Sequence, residues 1–177
     1  FGGRYRLAGD LFYKRLYNQI EYGGNIFDVI SSSYQLQDNL LHGNGRNYGF
    51  SLMLHKCTGD LTGWVSYTYT NARRKFKEMD PDSSFPATHE RPHELKAVLM
   101  YSPWKHWDFG ATAVYASGTP FTLPESIALI NGNILTQYGE YNSNRLRPYF
   151  RTDISVNYKW FSRRVKEHGI NLSLYNV

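Results

Sequence analysis

One cysteine, Cys57, stands in the whole sequence, so no intrachain disulfide can form and cysteine usage leaves the redox compartment open. No run of about 18 apolar residues occurs either, which excludes a transmembrane helix. Nothing at Phe1 pairs a charged segment with an apolar one, so any secretory signal was removed or lies outside this piece. Long charge runs of one sign are also missing. The 20 basic and 15 acidic residues are interleaved to a net +5, which argues against nucleic acid as a partner. The 177 residues suffice for one domain of roughly 100 to 200 residues but not for a large membrane transporter.

Aromatic residues are abundant instead. They make up 16% of the chain, with 15 Tyr and 10 Phe, where a soluble domain of this size is filled mostly with Leu, Ala and Val. Mean hydropathy is −0.53, which suits a soluble protein. It suits a membrane β-barrel equally, because barrel strands alternate lipid-facing and lumen-facing residues and so average low.

Period-two alternation runs through much of the chain. Phe150, Thr152, Ile154, Val156, Tyr158 and Trp160 share one phase; Arg151, Asp153, Ser155, Asn157 and Lys159 share the other. The same holds for Leu95, Ala97, Leu99 and Tyr101 against Glu94, Lys96, Val98 and Met100. Tyr48 to Leu54, Val65 to Tyr69, Phe109 to Tyr115 and Ile170 to Leu174 repeat it. In a first strand, from Tyr5 to about Tyr22, Leu7, Gly9, Leu11 and Tyr13 oppose Arg6, Asp10 and Lys14, and the phase blurs beyond Arg15. About seven strands result, with boundaries good to a few residues.

Connection lengths alternate strictly. Cys57 to Asp60, Pro103 to His106 and Ser162 to Glu167 are short; Gly23 to Arg46, Asn71 to Arg91 and roughly Gly118 to Arg147 are long. Short turns on one rim and long loops on the other are the pattern of outer-membrane barrels, with the short set periplasmic and the long set extracellular. Aromatics gather at both rims, as membrane-interface belts do. Tyr101, Trp104, Trp107, Tyr158, Trp160 and Phe161 adjoin the short turns; Tyr48, Phe50, Tyr67, Tyr69, Tyr115 and Tyr149 lie near the long loops. A soluble antiparallel sandwich also alternates, but gives no reason for two belts or two loop classes. Since bacterial barrels have an even number of strands and no free edge, seven strands imply an incomplete piece.

Motifs that could carry chemistry have the wrong context. His89, Glu90, Arg91, Pro92 and His93 spell H-E-x-x-H, yet Pro92 opposes the helix a zinc site needs and the segment leads into a strand. Met79 to Ser84 reads M-D-P-D-S-S, without the glycine and distal glutamate of a calcium loop, so an exposed turn is expected. Gly43, Gly45 and Gly49 miss the spacing of a phosphate-binding loop. No catalytic arrangement, metal set or cofactor site is expected. Arg73, Arg74, Lys75 and Lys77 form a basic cluster in a long loop, suited to an anionic ligand or to anionic outer-leaflet sugars.

Certain strings resemble a known family. GDLFYKRLYNQIEY from Gly9, GNGRNYGFSLMLHKCTGDLTGWVSYTYTNARRKF from Gly43, and FPATHERPHELKAVLMYSPWKHWDFGATAVYASGTPFTLP from Phe85 are similar to the late barrel strands of TonB-dependent outer-membrane receptors. RPYFRTDISVNYKW from Arg147 and NLSLYNV from Asn171 resemble the closing strands of that family, in the style of its Bacteroidetes members. The resemblance covers nearly the whole chain. It implies an all-β fold, an antiparallel transmembrane barrel of about 22 strands of which this piece is the C-terminal portion, with an N-terminal plug. The plug and the final strand are expected to lie outside residues 1–177.

The resemblance further implies TonB-driven import of a scarce, bulky nutrient such as an iron chelate, a vitamin, an oligosaccharide or a peptide. Implied partners are outer-membrane lipid, the rest of the barrel, the plug, and TonB acting through the plug, with a surface lipoprotein as an optional addition. Tyr138, Tyr141, Arg145 and Arg147 in the longest loop, with Arg73 and Arg74, are the candidate ligand contacts, since Tyr and Arg are favoured at recognition surfaces. Competing readings are a passive porin or an enzyme on a similar barrel, and a soluble carbohydrate-binding β-domain.

Overall fold

The computed structural model describes residues 4–22, 40–77, 84–130, 133–162 and 167–177. Expectations for the loop within 23–39, for most of M-D-P-D-S-S and for the centre of the 162–167 turn lie outside the described residues. Within them the strands are β1 (Tyr5–Tyr22), β2 (Leu40–Lys56), β3 (Leu61–Phe76), β4 (Phe85–Pro86), β5 (His93–Trp104), β6 (Trp107–Ala116), β7 (Pro120–Phe121), β8 (Pro124–Ile130), β9 (Asn133–Tyr138), β10 (Asn144–Arg145), β11 (Tyr149–Trp160) and β12 (His168–Leu174). Among the described residues there is no helix. Seven long strands form one antiparallel meander in the order β1-β2-β3-β5-β6-β11-β12, and β4 adds to β3. This is the all-β architecture of a barrel wall.

The register explains why the sequence alternates. Directly opposed residues of an antiparallel pair point to the same side of the sheet. Tyr67 faces Leu95, Leu95 faces Tyr115 and Tyr115 faces Phe150; two rows on, Gly63, Leu99, Ala111, Ile154 and Leu174 line up in succession. Leu7 to Leu54 to Val65 extends the apolar phase to the other edge. The apolar phases of all seven strands therefore coincide on one face, and a slip of one residue at any pair would break the coincidence.

That face is uncovered. Leu11 is 89% exposed, Leu172 65%, and Leu95 and Ile154 about 40% each. The buried hydrophobic residues among those described are only Ala72, Phe76, Ala87 and Ala116, all near the long loops. A sandwich would pack the Leu95 and Ile154 face against a second sheet; here none of the described residues covers it. An apolar surface of this extent is what a bilayer covers.

Several boundaries differ from the sequence expectation. The strand expected to end at Thr70 runs to Phe76, and the one expected to start after Arg46 begins at Leu40. A bilayer needs only about 9 to 11 residues per strand. The surplus stands clear of the apolar band, where one face of β3 carries Arg73 and Lys75 and the other buries Ala72, Arg74 and Phe76 beneath loops, so backbone pairing continues after the polar–apolar alternation has stopped. The blurred phase beyond Arg15 is a bulge: register shifts between Leu16 and Gln19, and Asn18 takes a left-handed φ of 50°.

The longest connection is not plain loop. It carries β7 paired with β10 and the hairpin β8–β9. The signal passed over was Asn131-Gly132 between two aliphatic runs, a strong hairpin cue. Of the aromatics assigned to the belts, Tyr149 falls in the polar phase, opposite Ala116. The others lying in strands share the apolar face, with Trp107 and Tyr158 ring centres 4.8 Å apart at the short-turn rim and Phe50 and Tyr69 5.8 Å apart at the other.

Candidate functional site

Beyond Tyr69 and His93, β3 has lost its β5 partner, and residues 84–92 fold in to replace it. β4 pairs with Arg73 and Arg74, the Ala87 amide donates to the Ala72 carbonyl at 2.8 Å, and the Thr70 amide donates to the Pro92 carbonyl at 3.0 Å. One backbone donor has no strand to meet it. The Ala72 amide donates instead to Glu90 Oε1 at 2.8 Å, so a side chain stands in for a strand carbonyl.

Glu90 is 2% exposed. A carboxylate this deep needs a cation, and Arg145 donates from Nη2 to Glu90 Oε2 while its Nη1 donates to the Gly118 carbonyl at 3.2 Å. The longest loop is thereby tied to the turn before β5. Asn142, also buried, adds a second tie: its side-chain amide donates to the Pro86 carbonyl at 2.9 Å, and its backbone amide donates to Thr122 Oγ1 at 3.0 Å. Its φ of 55° is a left-handed conformation that Asn tolerates.

A third contact reaches β1. The Tyr141 hydroxyl donates to Glu21 Oε1 at 3.1 Å, and the Thr88 hydroxyl donates to the same oxygen at 3.3 Å. The β1 bulge makes this possible, because it turns Glu21 to the polar face beside Leu41 and Gly43. Burial, reinforced by the Glu21 charge, pushes the Tyr141 phenol up to about 12, so it remains a neutral donor. Its ring meets Phe85 edge-on with centres 4.8 Å apart, and Phe85 stacks on buried Phe76. Buried Arg74 lies on the same polar face and donates to Asn47 Oδ1 at 2.7 Å.

The polar face at the long-loop rim is therefore roofed by two inward-folded loops locked through Glu90, Glu21 and Asn142. Of the candidate contacts, Arg74, Tyr141 and Arg145 converge here. Tyr138 ends β9 opposite Pro124, and Arg147 is exposed between β10 and β11. Arg73 is not brought to this group, since alternation turns it to the opposite face from Arg74. Sequence reading missed Glu90, Glu21 and Asn142. Glu90 sat inside a discarded H-E-x-x-H string, which the structure places in a turn leading into β5, and its role depends on a loop 55 residues away.

An antiparallel meander with one uncovered apolar face, one polar face and loops folded over the polar side at a single rim defines the wall and mouth of a transmembrane β-barrel transporter. A family model described as TonB dependent receptor-like, beta-barrel, matches residues 1–177. The chain belongs to that family, which places it in the outer membrane, in TonB-dependent transport, beside a plug domain and in contact with lipid. No curated protein and no solved structure is matched by the chain.

Proposed function

We propose that this chain forms part of the wall and mouth of an energised importer for a scarce, bulky nutrient of the kind Bacteroidetes receptors take up, such as an iron chelate, a vitamin, an oligosaccharide or a peptide. The long-loop rim faces outward from the cell and the short turns face the periplasm. The observation that carries the reading is the locked pair of loops over the polar face, which gives one rim a preformed surface of polar and aromatic side chains. Ligand is met by Tyr138, Tyr141, Arg145 and Arg147. Arg74, buried beneath them, supports the surface, and Arg73 points away from it.

Other parts of the barrel, the plug and, through the plug, TonB complete the machine, with a surface lipoprotein as an additional cap. The test is uptake by cells producing the intact receptor, using a panel of labelled ferric chelates, cobalamin, oligosaccharides and peptides. At least one is expected to accumulate, and accumulation is expected to stop when the inner-membrane proton gradient is collapsed. Uptake that continues without the gradient, for small solutes of every class, would show a passive pore instead.

A further inference from the structure

The outer face of β1–β3 carries a feature the import reading does not use. Arg15 stands directly opposite Arg46, and Arg46 directly opposite Arg73. One row outward, Lys75 faces Asn44. All four cations lie in the phase of Leu11, Phe50 and Tyr69, so they point away from the lumen.

Opposed residues of an antiparallel pair have Cβ atoms about 4.5–5.5 Å apart, and like charges there repel. Among the described residues none of the ion pairs includes Arg15, Arg46, Arg73 or Lys75. No carboxylate occupies the same phase of β1–β3 at this rim. Three abreast guanidinium groups with no acid on their side of β1–β3 among the described residues form a site that an anion completes.

The height of the row says which anion. Tyr13 and Tyr48 lie one row nearer the apolar band, 58% and 40% exposed. Tyr48 belongs to the long-loop belt and Tyr13 pairs with it, and the arginines stand about 7 Å beyond them, two residues further along the strands. Lipid phosphates sit at that depth, just outside the hydrocarbon. An open cleft of about 490 Å³ lies there, lined by Tyr13, Arg15, Tyr17, Arg46, Arg73 and Lys75 among others. Arginine forks bind phosphate oxygens two at a time, and the flanking tyrosine rings cover the start of an acyl or sugar moiety.

We infer that the Arg15–Arg46–Arg73 row binds the phosphate of an anionic lipid in the bilayer, holding these overlong strands at the membrane surface. Which leaflet supplies the lipid rests on the orientation proposed above; the binding does not.

The test uses the intact receptor in phosphatidylcholine nanodiscs containing a minor fraction of diphosphoryl lipid A, with retained lipid counted by native mass spectrometry. Wild type is expected to retain lipid A at least tenfold over its share. The triple variant Arg15→Gln, Arg46→Gln, Arg73→Gln is expected to lose that enrichment, and the lumen-side control Arg6→Gln, Lys14→Gln to keep it. Millimolar inorganic phosphate is expected not to displace the lipid. Equal retention by the triple variant, equal loss in the control, or displacement by inorganic phosphate alone would overturn the inference. A receptor that binds lipid A here but imports without energy would sink the transport proposal and leave this one standing.

Discussion

Replacing Leu99 with Arg is expected to lower the stability of the assembled barrel by about 2 to 4 kcal/mol, the cost of a cation near the bilayer midplane. Leu99 lies in the row of Gly63, Ala111 and Ile154, midway between the belts and on the uncovered face. Val156→Arg, on the same face one row toward the short turns, should cost a similar amount. Asn157 shares a polar-face hydrogen bond with Asn171, so Asn157→Arg should cost no more than about 1 kcal/mol. Lys96 beside Glu94, also on the polar face, should tolerate Arg with little change. Denaturant unfolding of the intact receptor in lipid bilayers reads the difference. Equal tolerance on both phases would refute the facing assignment.

Arg145→Ala is expected to loosen both loops at the mouth. It leaves Glu90, whose side chain is 1% exposed, without its cation. Removing one partner of a fully buried pair costs roughly 3 to 5 kcal/mol. Arg145 is itself 36% exposed, so solvent recovers part of this and roughly 1 to 3 kcal/mol remains. Hydrogen exchange of the Ala87 and Leu146 amides should then speed up by about one to two orders of magnitude, while the strands at the short-turn rim are unchanged. Adding Glu90→Gln should reverse most of the effect, because a neutral amide oxygen still accepts from the Ala72 amide. Unchanged exchange in Arg145→Ala would mean that the pair does not hold the loops.

These two sites mark where the sequence was readable. Residues such as Leu99 and Ile154 alternate because each meets one solvent through one register, and that signal is local to a strand. It fades beyond the lipid band, where polar and charged residues stand on both faces, which is why β2 and β3 extend about six residues past the expected ends and why the Leu16 to Gln19 bulge read only as blur. The mouth was legible only in composition. Arg74, Tyr141 and Arg145 were singled out as recognition types, but Glu90, Glu21 and Asn142, which bring them together, act across separations of 55 to 120 residues. No one-dimensional pattern records such partners. The outward turn of Arg73 followed from alternation through β3, and became visible only once the strand was known to continue past Thr70.

The central claim is that one phase of these strands lies in hydrocarbon and the other in water. Spin labels placed singly from Phe150 to Tyr158 in the intact receptor in bilayers test it, each read for collision with oxygen, which concentrates in lipid, and with a polar nickel chelate. Oxygen contact should peak at 150, 152, 154, 156 and 158 and chelate contact at 151, 153, 155 and 157. Flat profiles, or an even-numbered phase shielded from both reagents, would contradict it.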